Sequence, residues 1–183
     1  MRERRYEKEL RTTMKVVVVS DTHMTRMAKK LPERLIEELK SANAILHAGD
    51  WMALSVLEML EQYAQTEGVA GNNDGSEIVA RLGWRKLLEI EGVRIGIVHG
   101  HKGTGVRSDT ELNAYRAFEK GQVDVVVFGH SHIPVKRERD GVLMFNPGSP
   151  TDKRRQAQYS FGILTIESGK VKSAEHIFYD NKN

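Results

Sequence analysis

Lys15-Val16-Val17-Val18-Val19-Ser20-Asp21-Thr22-His23 is the stretch whose reading decides the fold. Its valines are β-branched, stiff at χ1 and suited to a pleated surface. The run is too short for a helix and shows no polar alternation, so it predicts a strand buried on both faces. Such a strand needs a packed layer on either side. Asp21 and His23 follow it at once, just beyond its carboxyl end. In open α/β sheets that is where ligands gather.

Working outward, Pro32 suits the first turn of a helix, and Leu35, Ile36 and Leu39 continue it as an apolar stripe. Residues 44–47 (Ala-Ile-Leu-His) read as a second strand. Leu54, Leu57, Leu60 and Tyr63 mark a second helix, and Val69-Ala70 a short third strand. This strand–helix alternation predicts a parallel α/β core. The second half changes character. Residues 86–90 and 93–98 flank Glu91-Gly92 as a hairpin, and Ser108 with Glu111 forms a capping box for a helix through Phe118. Residues 123–128 read as another buried strand. Asp140-Gly141 and Ser168-Gly169 then join strands 133–139 to 142–145 and 161–166 to 171–178. An α/β half followed by a β-rich half predicts two packed sheets with helices outside. Residues 1–13, highly charged, read as an N-terminal extension, loose or a short surface helix, and residues 14–183 as a single domain.

A chain of 183 residues buries roughly 70% of its unfolded surface and needs no covalent staples. It has no cysteine, which excludes disulfides, thiolate metal sites and a cysteine nucleophile. Any metal must therefore be held by His, Asp, Asn or Glu. No apolar run approaches the roughly 20 residues of a membrane span. Arg2, Arg4 and Arg5 are not followed by an apolar signal segment. A soluble, cytoplasmic protein is expected. The net charge of +3 is spread through the chain, and Lys153-Arg154-Arg155 is a short basic run without aromatic platforms. Nucleic acid is not an expected partner.

The chemistry lies after the strands: Asp21-Thr22-His23, Gly49-Asp50, Gly71-Asn72-Asn73-Asp74, His99-Gly100-His101 and Gly129-His130-Ser131-His132. Residues two apart in extended backbone face one side, so Asp-x-His and His-x-His can each close on one ion. The glycines let the backbone turn sharply or approach closely. Carboxylate, amide oxygen and imidazole form a hard-to-borderline donor set. Asp50 can offer one oxygen to each of two metals, and cations about 3.5–4 Å apart can share a water and lower its pKa. Singly, each motif reads as turn chemistry or packing. Together, at successive strand ends, they read as one site. His47 is expected to be a packed histidine beside it rather than a ligand, and His176 to be structural.

This ordered set resembles the signature of the calcineurin-like metallophosphoesterase superfamily. Asn146-Pro147-Gly148-Ser149 and the short chain look like its small bacterial and archaeal phosphodiesterase branch, whose fold the retromer scaffold subunit shares. The resemblance implies a four-layer α/β/β/α sandwich of two mixed sheets with flanking helices. It implies two divalent metal ions, Mn2+ foremost, with Ni2+, Fe2+, Zn2+ or Co2+ as alternatives. Asp21, His23 and His132 would hold the first, Asp50 would bridge, and Asn72, His99 and His130 would hold the second. The implied activity is a metal-dependent phosphodiesterase. A hydroxide between the metals would attack the phosphorus of a small-molecule phosphoester in line, with Asp50, Asn72 and His101 as catalytic residues. The resemblance further suggests a homodimer or homotetramer. One departure stands out. Where many members carry a histidine that protonates the leaving group, this chain has Asn73, which cannot. His101, two residues after His99, is either a replacement acid or a supporting histidine at the rim. Asn146 and Ser149 either line the pocket or build their turn. A catalytically weak scaffold and a nuclease are the rival readings.

Overall fold

Val16, Val17, Val18 and Val19 are all 0% exposed, the burial on two faces that an unbroken valine run predicts. They lie in β1 (Thr13–Val19) of a computed structural model that describes residues 12–24, 26–101 and 109–182. Beyond β1 the chain forms α1 (Glu33–Leu39), β2 (Ala44–His47), α2 (Leu54–Glu61), β3 (Gln65–Gly68) and α3 (Ser76–Leu82). There follow β4 (Arg85–Ile90), β5 (Val93–Val98), α4 (Thr110–Arg116), β6 (Val125–Val127), β7 (Val135–Arg139), β8 (Val142–Asn146), β9 (Tyr159–Glu167) and β10 (Lys170–Tyr179).

The strands make two mixed five-stranded sheets, in the orders β10-β9-β1-β2-β3 and β4-β5-β6-β8-β7. Within the first, β1, β2 and β3 are parallel, with β9 and β10 added antiparallel. Within the second, β5, β6 and β8 are parallel, and β4 and β7 pair antiparallel with β5 and β8.

Successive side chains on a strand face opposite sides, and this sorts the apolar residues into layers. Val16 and Val18 of β1 meet Ile95, Ile97, Val125 and Val127 of the other sheet, so the two sheets pack face to face. Val17 and Val19 point the other way, against Leu35 and Leu39 of α1, Val56, Leu57 and Leu60 of α2, and Ile78 of α3. On the far side Val126 and Met144 pack with Ala114 of α4 and Phe118 beyond it. The order of layers is helix, sheet, sheet, helix, as the resemblance implies. None of the described helices is long and apolar enough to cross a membrane.

Three sequence expectations are corrected. The third strand is Gln65–Gly68 and not Val69-Ala70. Parallel pairing to β2 runs from Gln65 opposite Ala44 to Gly68 opposite His47, so backbone bonding to an existing strand, not apolarity, defines it. α4 is capped by Asp109, whose side chain accepts from the Leu112 N–H at 3.1 Å, and Ser108 lies outside the described residues. Pro32 precedes α1 as its N-cap instead of starting its first turn. Of the extension expected over residues 1–13, residues 1–11 also lie outside the described residues, and Thr13 already belongs to β1. α3 carries no expectation from sequence.

Because β1, β2 and β3 are parallel, their carboxyl ends share one edge of the first sheet. β5, β6 and β8 do the same in the second.

Candidate metal centre

The loops at these edges approach one another closely, and glycine permits it. A Cβ on Gly71 would lie 2.1 Å from Asp50 Oδ1, and one on Gly129 would lie 1.9 Å from Ser20 Oγ. The polar residues beside them are held in unusual backbone. Asp21 (φ 54°), His23 (φ 43°), Asp50 (φ 61°), His130 (φ 67°) and His132 (φ 59°) all occupy the left-handed region. Each such residue costs on the order of 1–3 kcal/mol, and clusters of them mark functional sites.

Side chains from both sheets converge. Ligand atoms of Asp21, His23 and His132 lie within 4.8 Å of one another, and so do those of Asp21, Asp50 and His99. Asp21 Oδ1 is 3.3 Å from His132 Nε2, 3.8 Å from His99 Nε2 and 3.9 Å from His23 Nε2. Asp50 Oδ2 is 3.5 Å from His23 Nε2 and 3.4 Å from His99 Nε2. Asn72 Oδ1 is 3.1 Å from His99 Nε2 and 3.0 Å from His130 Nδ1. Both carboxylates therefore stand between the His23 and His99 imidazoles.

A second layer of hydrogen bonds aims these groups. His99 Nδ1–H donates to the Ala48 carbonyl at 2.7 Å, and His132 Nδ1–H to that of Asp152. Each bond turns Nε2 toward the carboxylates, the usual way a metal-binding imidazole is oriented. Asp21 Oδ2 accepts from Ser20 Oγ at 2.7 Å and from the His130 N–H at 3.0 Å. Its Oδ1 is buried and makes no hydrogen bond. A buried carboxylate oxygen without a donor is costly, and here it faces only imidazole nitrogens.

The electrostatics have the same sense. Burial alone would raise the Asp21 carboxyl, but the adjacent His132 and His99 hold it below the ordinary carboxylate range. Asp50 is likewise held well down, against its burial, by His99 and by Asn73. His99, despite burial, is pushed up to about 9 by Asp50 and Asp21. His132 is raised against its burial by Asp21, whereas burial lowers His23 and His130. The orphaned Asp21 oxygen, the oriented imidazoles and the oxygen–nitrogen donor set all fit divalent metal ions.

Comparison with known proteins adds the family. Residues 14–169 match the calcineurin-like phosphoesterase superfamily domain. The chain belongs to this superfamily. A probable metallophosphoesterase of Methanothermobacter thermautotrophicus is 38% identical over 158 residues, covering 86% of this chain and 89% of its own. A phosphodiesterase of Methanocaldococcus jannaschii is 32% identical over 152 residues, covering 74% and 83%. Among solved structures, an archaeal phosphodiesterase superposes with a TM-score of 0.69 at 26% identity, covering 91% of this chain and all 100% of its own. A mutant Vps29 of Entamoeba histolytica has a TM-score of 0.70 at 22% identity over 91% and 100%, a likeness of fold.

In this metal-dependent phosphoester hydrolase, several residues act differently from what sequence alone suggests. Asn73 grips Asp50: its N–H donates to Oδ1 at 2.9 Å and its Nδ2 to Oδ2 at 2.7 Å. Asp74, given no role from sequence, accepts from the N–H groups of Gly71 (2.7 Å), Met52 (2.8 Å) and Asp50 (2.9 Å). It ties the Gly49-Asp50 and Gly71-Asn72 loops together. No sequence signal marks it beyond its place in the motif. Asn146 and Ser149 brace ligand loops. Asn146 Nδ2 donates to the Gly129 carbonyl at 2.9 Å, and Ser149 Oγ to the Asp21 carbonyl at 2.8 Å. Thr151, unsignalled by sequence, donates to the Thr22 carbonyl. His47 is fully buried, stacked on Trp51 with ring centroids 3.6 Å apart, and its Nδ1 accepts the Gly49 N–H at 3.1 Å. His176 donates to the Asn146 carbonyl at 2.7 Å and stacks on Phe145, away from the ligand cluster. The half-buried His101 ring lies 5.4 Å from that of His99 and 6.2 Å from that of His130.

Proposed function

We propose that this superfamily member is a phosphodiesterase that works with a pair of divalent metal ions, Mn2+ foremost. The observation that carries the reading is the placement of two carboxylates between two sets of imidazoles, with Asp21 Oδ1 buried and without a hydrogen bond. Asp21, His23 and His132 would hold one ion, Asn72, His99 and His130 the other, and Asp50 would bridge. When bound, the ion pair supplies a nucleophile by lowering the pKa of a shared water, and offsets charge on the phosphoryl oxygens during in-line attack.

The protein's own residues do the rest. Asn73 and Asp74 fix Asp50 through its carboxylate and its backbone. Asn73 therefore has its amide committed to Asp50, and it has no proton to give. His101, whose ring lies near those of His99 and His130, would hold the proton for the departing oxygen. The cysteine-free chain suits the reducing cytoplasm. The complete donor set favours an enzyme over a scaffold. The basic run is too short to favour a nuclease.

Metal-stripped protein, reloaded with Mn2+, Zn2+, Ni2+ or Fe2+ in turn, tests this with bis(p-nitrophenyl) phosphate and p-nitrophenyl phosphate. The expected result is metal-dependent turnover, faster on the diester, with about two ions bound per chain. Activity in the stripped protein, or one ion per chain at saturation, would overturn the two-metal reading. Faster turnover of the monoester would overturn the diester preference.

A further inference from the structure

The basic run Lys153-Arg154-Arg155 does not act as a unit. Lys153 turns back on its own loop, with Nζ 2.9 Å from the Ala157 carbonyl and 5.3 Å above the Tyr159 ring. Arg154 is anchored toward the metal centre. Its N–H donates to Asp152 Oδ1 at 3.3 Å, and its Nε lies 3.7 Å from Asp152 Oδ2. The carbonyl of Asp152 accepts the Nδ1–H of His132, and its N–H donates at 2.8 Å to Ser149 Oγ, which in turn donates to the Asp21 carbonyl. Arg154 is thus tied to His132 through Asp152, and to Asp21 through Asp152 and Ser149.

Its backbone is in the left-handed region at φ 47°, a strain shared with the ligand residues themselves. Asp152 Oδ2 lies 3.7 Å from Arg154 Nε and 3.7 Å from His132 Nδ1, which sets the guanidinium beside a member of the ligand set. His130 is only partly buried. The Arg154 side chain is 53% exposed, and at 3.7 Å its contact with Asp152 is longer than the roughly 2.7–2.9 Å of a closed guanidinium–carboxylate pair. Its planar donors remain presented to solvent beside His132.

In the reading above, two cations already answer the charge of the scissile phosphate. A further fixed cation at the rim calls for a further anion. We propose that Arg154 binds a second phosphate carried on one ester arm of the substrate, so that the favoured class is a phosphodiester bearing an additional phosphate. A guanidinium offers the forked geometry that a phosphate accepts. The proposal rests on the phosphodiesterase reading for the place of the scissile group. It concerns binding and can be tested apart from turnover.

The test is calorimetric binding of adenosine 5′-monophosphate and adenosine 3′,5′-bisphosphate to the Mn2+-loaded protein, wild type against Arg154→Gln and Arg154→Lys. Metal content and thermal midpoint are checked first. Wild type is expected to prefer the bisphosphate by about tenfold, the scale of one charge-assisted pair. Arg154→Gln should reduce that preference to about twofold while leaving the monophosphate within about twofold. Arg154→Lys should fall between, keeping the charge and losing the fork. Three results would each overturn the proposal: no preference in wild type, a preference that survives Arg154→Gln, or an equal loss for both ligands. Protein that shows the binding difference yet cleaves no diester would sink the phosphodiesterase reading and leave the anion site standing.

Discussion

His47 separates ligand from support most sharply. It lies three residues before Asp50 and is fully buried, and burial pushes its imidazole down to about 3 from an ordinary 6.5. With Nδ1 accepting the Gly49 N–H, the ring proton sits on Nε2, 3.1 Å from Thr22 Oγ1. The folded protein therefore holds His47 neutral and unable to offer either nitrogen to a metal. A group whose folded pKa is depressed adds stability that is full above the unfolded value. That stability is lost as pH falls from about 6.5 toward about 3. Between pH 7 and pH 5 the unfolded chain gains roughly 0.7 of a proton at His47 while the folded chain stays neutral, a difference of about 2 kcal/mol. For a domain of this size that is roughly 4–8 °C in Tm. His47→Gln keeps an acceptor for Gly49 and a donor for Thr22 but cannot titrate. Thermal or urea unfolding of wild type and variant at both pH values reads the effect. The variant is expected to be less stable at pH 7, having lost the Trp51 stack, and the gap should narrow by about 2 kcal/mol at pH 5. Its metal content should be unchanged. A gap that stays constant with pH would refute the buried neutral histidine, and loss of metal would make His47 a ligand after all.

Asp50→Asn removes a carboxylate that lies between both imidazole sets. Turnover should fall at least ~10²-fold, and bound metal, measured by emission spectroscopy, should fall with it. Loss of turnover with full metal content would show that Asp50 does not bridge. Asn73→His exchanges an amide that grips Asp50 for a group that can carry a proton. Against a series of diesters of rising leaving-group pKa, wild type should show a shallow dependence if His101 supplies the proton, and His101→Ala should steepen it, by up to ~10²–10⁴-fold for alkyl esters. A dependence that is shallow in both would exclude His101. Asn73→His should help alkyl esters more than aryl ones, and a loss on both alike would mean that its grip on Asp50 matters more.

The site is legible in sequence because buried parallel strands write continuous apolar runs that stop abruptly. Val19 gives way to Ser20-Asp21, and Val127-Phe128 to Gly129-His130, so the chemistry is punctuated by the fold. Where a strand is not buried on both faces the signal fails. Gln65-Thr66-Glu67-Gly68 lies at a sheet edge, and only its backbone bonds to β2 make it a strand. α3 buries Ile78 alone, too little to leave a stripe. The braces are hidden for a different reason. Asp74 acts on three backbone N–H groups and Ser149 on a backbone carbonyl, partners that carry no residue identity and so leave no pairing to read. Asn73 shows the limit most clearly. Sequence sees a missing acid there, a statement about what the residue cannot do. The structure shows a residue that donates from its backbone N–H and from its side-chain amide to the two oxygens of the Asp50 carboxylate, a statement about what it does. The Asn73 amide presents its donor to that carboxylate whatever the pH, whereas an imidazole presents an N–H there only in the matching tautomer or when protonated. The same exchange that gives up a proton for the leaving group thus sets two donors on Asp50, whose carboxylate lies between the His23 and His99 imidazoles.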